Sequence, residues 1–182
     1  MADKRHSSKI KGNIVLIGFM GSGKSSVGKR LSYKLRRPFV DSDQLITDKE
    51  GCSISQIFSE KGEEVFRDIE TECIRTLTEN KSRFIFSTGG GVPLRKENRG
   101  LLRKIGTVVY LKTTPETIYD RIKDDTTRPL LQSADPQMKI REMMNERNGI
   151  YEETADITVS TDDKTCREIA DEIVEAVQNH KA

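Results

Sequence analysis

Residues 14–25 read IVLIGFMGSGKS, and this stretch decides the fold. Its first four residues are apolar and predict a buried strand, while residues 18–25 match the phosphate-binding pattern G-x-x-x-x-G-K-S/T in full. The spacing of Val27, Leu31 and Leu35 predicts a helix directly after this loop. A strand, a glycine loop and a helix in this order predict a cradle of backbone N–H groups that binds polyphosphate at the helix N-terminus.

The side chains of this loop have separate expected roles. Lys24 is expected to reach the outer phosphates as a catalytic group, and the Ser25 hydroxyl is expected to bind Mg²⁺. A dinucleotide-binding fingerprint does not fit, because Ser26 stands where its third glycine is needed. The predicted nucleotide contacts in this region are Gly21, Ser22, Gly23, Lys24, Ser25 and Ser26.

Further apolar runs alternate with helical patterns along the chain, which predicts a three-layer α/β fold around a parallel sheet. The five predicted strands lie near residues 13–17, 39–40, 84–86, 108–111 and 157–159. The predicted helices lie near residues 24–35, 63–79, 115–123, 136–148 and 166–178.

Length and charge limit the choice of partners. A chain of 182 residues fits one compact domain, which we place at residues 12–182 after a disordered tail at 1–11. The 31 basic and 29 acidic residues nearly cancel, which gives no argument for binding to nucleic acid or to a membrane surface. No apolar run approaches the roughly 18 residues that span a bilayer. We therefore expect a cytoplasmic monomer.

Two carboxylates follow the second predicted strand. Ligands of open parallel sheets bind beyond the carboxyl ends of the strands, where Asp41, Asp43 and the phosphate loop would meet. Asp41 is a candidate for holding Mg²⁺, and Asp43 for accepting the proton of a substrate hydroxyl. The two histidines, His6 and His180, are close to the chain ends, which favours a carboxylate as the base. Asp43 could instead only cap the following helix.

A third group of candidates comes from the middle of the chain. The predicted helix after Gly62 has an apolar stripe, and Arg67 lies about 200° around the helix from its first member, away from the core. Glu70 is close enough to brace this arginine, although such pairs are often only solvated ion pairs. The predicted core stripe is Val65, Ile69, Cys73 and Leu77. The triplet Gly89, Gly90 and Gly91 after the third strand would allow close approach to a ligand, or form a simple loop.

A phosphate loop alone does not distinguish a kinase from a motor or a switch GTPase. The guanine-reading motif Asn-Lys-x-Asp is absent, because Arg83 follows Asn80, Lys81 and Ser82. The polar segment at 123–133, which Pro129 interrupts, predicts a mobile loop. The residues leave open a kinase for one of several small molecules and a non-catalytic nucleotide-binding module.

The motifs together resemble shikimate kinase from about residue 13 to residue 159. The matching segments are residues 18–25, 41–43, 66–70, 89–91, 128–131 and, as the last substrate arginine, 139–141. The resemblance implies a nucleoside-monophosphate-kinase-like fold with a lid loop, ATP as phosphoryl donor and Mg²⁺ as its metal. The implied product is shikimate 3-phosphate, in chorismate and aromatic amino-acid biosynthesis. Related alternatives are a gluconate kinase and a nucleoside-monophosphate kinase.

The resemblance also implies roles for single residues. Arg128 would act as the catalytic lid residue on the transferred phosphate, and Arg121 would lie beside the adenine. The substrate segment would be about 41–72 and the lid about 123–136. Residues implied to bind shikimate are Asp43, Arg67, Gly89, Gly90, Gly91 and Arg141. The chain departs from the family at Thr161, Asp162 and Asp163, where family members often carry asparagine and arginine near the adenine.

Overall fold

A computed structural model describes residues 10–125 and 134–180 of the chain. Five strands form one parallel sheet in the order β2-β3-β1-β4-β5. They are β1 Asn13–Ile17, β2 Phe39–Asp41, β3 Ile85–Ser87, β4 Gly106–Lys112 and β5 Ile157–Ser160. The predicted five-stranded parallel sheet is therefore confirmed.

Seven α-helices lie within the described ranges, and a single turn of 3-10 helix spans Val92–Leu94. The α-helices are α1 Lys24–Leu35, α2 Ser42–Glu50, α3 Ile54–Leu77, α4 Lys96–Ile105, α5 Pro115–Ile122, α6 Pro136–Thr154 and α7 Cys166–Asn179. All five predicted helices are present, but α2, α4 and the first turns of α3 were not predicted. Both α2 and α4 are short and carry few apolar residues, so packing against neighbours stabilises them more than an intrinsic pattern does.

The sheet is covered on both faces, which gives the predicted three layers. In β1, Ile14 and Leu16 point into a core with α1 and α7, whereas Val15 and Ile17 point into a core with α3, α4 and α6. Successive side chains of a strand alternate between faces, so one apolar run supplies both cores. The carboxyl ends of the strands are left as the edge where loops meet.

Helix α3 differs from its prediction in its start and in its buried stripe. It begins at Ile54 with a capping box from Ser53 and is kinked at Gly62, which has φ 82°. Val65 is 40% exposed, so the predicted core stripe is wrong at its first member. A strict four-residue spacing drifts by about 40° per step around a helix. The stripe that stays buried mixes steps of three and four: Phe66, Glu70, Cys73, Ile74 and Leu77.

The folded domain begins earlier than expected. Ile10 is 2% exposed and packs into the α1–α7 core, and Arg37 donates hydrogen bonds to the carbonyls of Ile10 and Gly12. The expected boundary after residue 11 is therefore wrong at Ile10, and residues 1–9 lie outside the described ranges. Among the helices of residues 10–125 and 134–180, none is both long and apolar enough to cross a membrane.

Candidate active site

A cleft of about 640 Å³ lies at the carboxyl ends of β1, β2 and β3. Asp41 of β2 pairs with Ser87 of β3, and Ser87 also pairs with Leu16 of β1, so the loops after these strands leave the sheet side by side. The lining includes the phosphate loop and the predicted carboxylates and glycines: Gly21, Ser22, Gly23, Lys24, Ser25, Ser26, Asp41, Asp43, Gly89 and Gly90.

The phosphate loop has the geometry of an anion cradle. Gly21 has φ 76°, and a Cβ on it would lie 2.8 Å from Ile122 Cγ2, so only glycine fits there. Gly23 caps α1 without a side-chain hydrogen bond, and the first turn carries no acidic residue, which leaves the positive end of the helix open. Lys24 Nζ donates to the carbonyls of Gly18 and Phe19, both at 2.8 Å, and thereby lies across the loop.

Ser25 and Asp41 bring two oxygen donors together beside the cradle. Ser25 Oγ donates to Asp41 Oδ2 at 3.1 Å, and Asp41 Oδ1 accepts from the backbone N–H of Asp43 at 3.0 Å. Among residues 10–125 and 134–180, no cluster of three or more histidine, cysteine or carboxylate side chains forms a metal cage. A hydroxyl and one carboxylate fit Mg²⁺, which keeps several waters and binds substrate phosphates.

Asp41, rather than Asp43, caps α2. The cap hydrogen bond of Asp41 to the Asp43 N–H leaves the Asp43 side chain facing the cleft. Ser42 Oγ accepts from Gly89 N–H at 2.7 Å and donates to Asp43 Oδ1 at 3.3 Å. The alternative in which Asp43 serves only as a helix cap is therefore wrong, and Ser42 links the carboxylate to the glycine triplet.

The Asp43 carboxylate is held in an unusual electrostatic setting. Burial raises its pKa above the ordinary value, and the neighbouring charge of Asp41 adds to the increase. The hydrogen bond from Ser42 and the charges of Lys24 and Arg67 act in the opposite direction but do not cancel the effect. A carboxylate with a raised pKa is a stronger base than an exposed one, and the charges of two cationic side chains act on this one.

Arg67 lies against the glycine triplet, on the face of α3 that points away from the predicted core stripe. A Cβ on Gly91 would lie 2.4 Å from Arg67 Nη1. Nη1 also donates to Glu70 Oε2 at 3.0 Å, and Nη2 donates to Glu63 Oε1 at 3.2 Å. The side chain of Glu70 is 1% exposed, and burial raises its pKa although Arg67 opposes the shift. The pair is thus a buried brace, not a solvated surface pair.

Gly89, the first glycine of the triplet, lies close to two carboxylates. A Cβ on Gly89 would lie 3.0 Å from Asp43 Oδ1 and 3.2 Å from Glu70 Oε1, so the triplet packs directly on both carboxylates. The absence of side chains therefore lets the backbone approach the acidic and basic groups that surround the site.

Arg121 lies at the other end of the cleft. Its Nη2 donates to Thr161 O at 2.8 Å, and its Nη1 donates to Thr161 Oγ1 at 3.1 Å. Asp162 accepts from the backbone N–H of Thr114 at 3.1 Å, so its carboxylate serves the start of α5. Other residues that line this end are Lys164, Thr165, Cys166 and Ile169.

Among the described residues, one predicted arginine is not brought to the site. Arg128 lies outside the described residues. Arg141 donates to Glu116 Oε1 at 2.8 Å, with 56% of its side chain exposed. At about 100° per residue, residue 141 lies on the flank of α6, beside the buried stripe that contains Ile140 and Met144 and not on it.

Arg147, which sequence reasoning missed, occupies the inner face of α6. Its guanidinium lies 5.8 Å from the centre of the Phe19 ring and hydrogen-bonds the hydroxyl of Tyr151. Tyr151 in turn donates to Gly90 O at 2.7 Å. A signal was present: Arg147 follows Met144 by three residues and precedes Tyr151 by four, so a charged residue stands on the buried stripe.

Comparisons with known proteins agree with this geometry. The family model described as shikimate kinase matches residues 20–178. The chain belongs to the shikimate kinase family. A shikimate kinase of Dehalococcoides mccartyi is 42% identical over 173 residues, which cover 95% of this chain and 97% of that one. The structure of a shikimate kinase from Acinetobacter baumannii in complex with shikimate is 37% identical, with a TM-score of 0.88, and the match covers 97% and 98% of the two chains.

The fold is shared more widely than the shikimate kinase family. The structure of a gluconokinase from Sinorhizobium meliloti matches with a TM-score of 0.55 and 18% identity, over 92% of both chains. At this level of identity only the fold is shared. None of these comparisons favours gluconate over shikimate as the substrate.

Proposed function

We propose that this chain transfers the γ-phosphoryl group of ATP to the 3-hydroxyl of shikimate. The observation that carries the proposal is the position of Asp43, a carboxylate that lines the cleft beside the phosphate loop and on which the charges of Lys24 and Arg67 both act. Membership of the shikimate kinase family supports the choice of substrate.

Arg67 binds the carboxylate of the substrate in this proposal. A planar guanidinium matches a carboxylate with two parallel hydrogen bonds, which lysine cannot offer. Glu70 holds one edge of the guanidinium, and Gly91 leaves room for it. We propose Arg147 as a second cation for the acid in place of Arg141, because Arg147 lies by Gly90 whereas Arg141 pairs with Glu116.

Asp43 accepts the proton of the attacking hydroxyl. A base within reach of the nucleophile speeds such steps by about 10²–10⁴-fold, and a raised pKa brings the base closer to neutral pH. The Ser42 hydroxyl donates to Asp43 Oδ1 and accepts from the backbone N–H of Gly89. The carboxylate of Asp43 therefore keeps its orientation relative to the glycine triplet.

The phosphate loop holds the donor. Lys24 and the open N-terminus of α1 attract the outer phosphates, and Arg121, which also lines the cleft, contacts the base of the nucleotide in this proposal. When bound by Ser25 and Asp41, Mg²⁺ would neutralise part of the charge on the transferred group. The role of Arg128 as a lid residue stays a prediction, as does a cytoplasmic monomer.

A substrate panel tests the proposal. The purified chain is given ATP and Mg²⁺ with shikimate, gluconate or a nucleoside monophosphate, and ADP release is measured by a coupled assay. We expect turnover with shikimate and formation of shikimate 3-phosphate, both abolished or strongly reduced in Asp43→Asn. Turnover only with another acceptor would replace the substrate. ATP binding without turnover on any acceptor would favour a non-catalytic module.

A further inference from the structure

The hydroxyl of Tyr151 joins two parts of the site that come from distant parts of the chain. It donates to Gly90 O at 2.7 Å and accepts a hydrogen bond from the Arg147 side chain. The Tyr151 side chain is fully buried, and its ring packs against Tyr110 with centroids 5.2 Å apart. A buried phenol that bonds both to a backbone carbonyl and to a cation does more than fill space.

The direction of these hydrogen bonds is fixed by chemistry. A carbonyl can only accept and a guanidinium can only donate, so the phenol proton must point to Gly90 and its lone pair to Arg147. Burial raises the pKa of Tyr151 to about 12, although Arg147 and Arg67 oppose the shift. The phenol therefore keeps its proton at neutral pH, and the chain from Arg147 through Tyr151 to Gly90 keeps one direction.

The Gly90 carbonyl belongs to the wall between the two halves of the cleft. A Cβ on Gly90 would lie 3.5 Å from Gly18 O and 3.5 Å from Met20 N, so the triplet is in close contact with the phosphate loop. Arg147 also lies over the ring of Phe19 in that loop. Tyr151 thus ties helix α6 to the glycine triplet beside the phosphate loop.

We propose that Tyr151 is a positioning residue, whose hydroxyl orients Arg147 and the glycine triplet for the acidic substrate. The inference rests on the proposed function, because it assigns Arg147 to the acid. With one edge of its guanidinium directed to Tyr151, Arg147 can offer its other N–H groups to the acid. Without the hydroxyl, the ring can stay in place but the guanidinium loses the acceptor that fixes its orientation.

Two phenylalanine substitutions separate positioning from packing. Tyr151→Phe removes the hydroxyl and keeps the ring contact with Tyr110. Tyr110→Phe is the matched control, since it alters the same ring pair but removes a hydroxyl that donates to Asn148 Oδ1 at 3.0 Å. We expect Tyr151→Phe to raise the KM for shikimate about tenfold, with the KM for ATP unchanged, because the Arg147 guanidinium loses a charge-assisted hydrogen bond. Tyr110→Phe should leave both KM values within about twofold of the wild type.

A second readout asks whether Tyr151 acts through Arg147. In an Arg147→Met background, we expect Tyr151→Phe to change the KM for shikimate by less than about twofold, because coupled residues are not additive. The full tenfold effect in that background, an unchanged KM in the single variant, or an equal rise in the KM for ATP would overturn the inference. If the wild type does not phosphorylate shikimate, the proposed function fails, and the same variants are compared on the acceptor that the substrate panel identifies.

Discussion

Replacing Gly91 by alanine moves the Arg67 guanidinium without straining the backbone. Gly91 has φ −86° and ψ −14°, a conformation that alanine adopts freely. The new Cβ would lie 2.4 Å from Nη1 and 2.7 Å from Cζ, whereas ordinary contacts begin at 3.4 Å. The guanidinium must therefore move by about 1 Å, a displacement that can reduce catalysis about a hundredfold when it affects a positioning group.

The size of the expected effect follows from the interaction that is lost. A charge-assisted hydrogen bond is worth about 1.5–3 kcal/mol, which corresponds to about a 10- to 150-fold rise in the KM for shikimate. Initial rates at varied shikimate and saturating ATP measure this change. The KM for ATP should stay the same, and the melting temperature should fall little, because the atoms in the way are the far end of a flexible side chain.

Gly100→Ala provides the control. Gly100 lies within α4, where a Cβ would meet nothing within 4 Å. We expect unchanged kinetics and a slightly higher melting temperature, since alanine stabilises a helix by about 0.5–1 kcal/mol relative to glycine. A Gly91→Ala variant with the kinetics of Gly100→Ala would show that Arg67 is not the group that binds the acid.

Two further substitutions probe charge in the same site. Because burial raises the pKa of Asp43 above its ordinary value of 3.8, its carboxyl contributes stability at low pH, and this contribution is lost as the pH rises through the folded-state pKa. The Asp43→Asn variant should therefore melt at a higher temperature than the wild type at pH 7 and lose that advantage near pH 4. Its kcat should be about 10²–10⁴-fold lower. A melting advantage that does not change with pH would show that burial of the charge is not its cause. Glu63 competes with the substrate carboxylate for Arg67 Nη2, through an exposed ion pair worth about 0.2–1 kcal/mol. Glu63→Gln should therefore lower the KM for shikimate by a few-fold. A higher KM would mean that Glu63 instead supports Arg67.

Local patterns predicted much of the fold and the phosphate side of the site. The strand, glycine loop and helix around Lys24 are contiguous in sequence, so their geometry is set by residues that the pattern contains. The α2 and α4 helices were missed because tertiary packing supports them. The boundary at Ile10 was missed because Ile10 packs against helices α1 and α7 and its carbonyl accepts from Arg37, all of them distant in sequence.

The prediction of the substrate-binding residues depended on how each helix is rotated about its axis, which a sequence pattern determines poorly. Arg141 and Arg147 lie on the same helix, and only the packing of Ile140, Met144 and Tyr151 shows which arginine faces inward. Attention to the charged residue on that apolar stripe would have selected Arg147. The buried Glu70 was predicted as a brace for Arg67, but its full burial depends on the glycine triplet packed against it.

The central claim is that one cleft holds the terminal phosphate of ATP and the alcohol of the acid on either side of Asp43. A structure of the chain with ADP, Mg²⁺ and shikimate tests it most directly. We expect the shikimate carboxylate to bind Arg67 and its 3-hydroxyl to lie within hydrogen-bonding distance of Asp43, with the ADP phosphates on the loop of Lys24. A shikimate ring bound away from Arg67, or a 3-hydroxyl directed away from Asp43, would contradict the account.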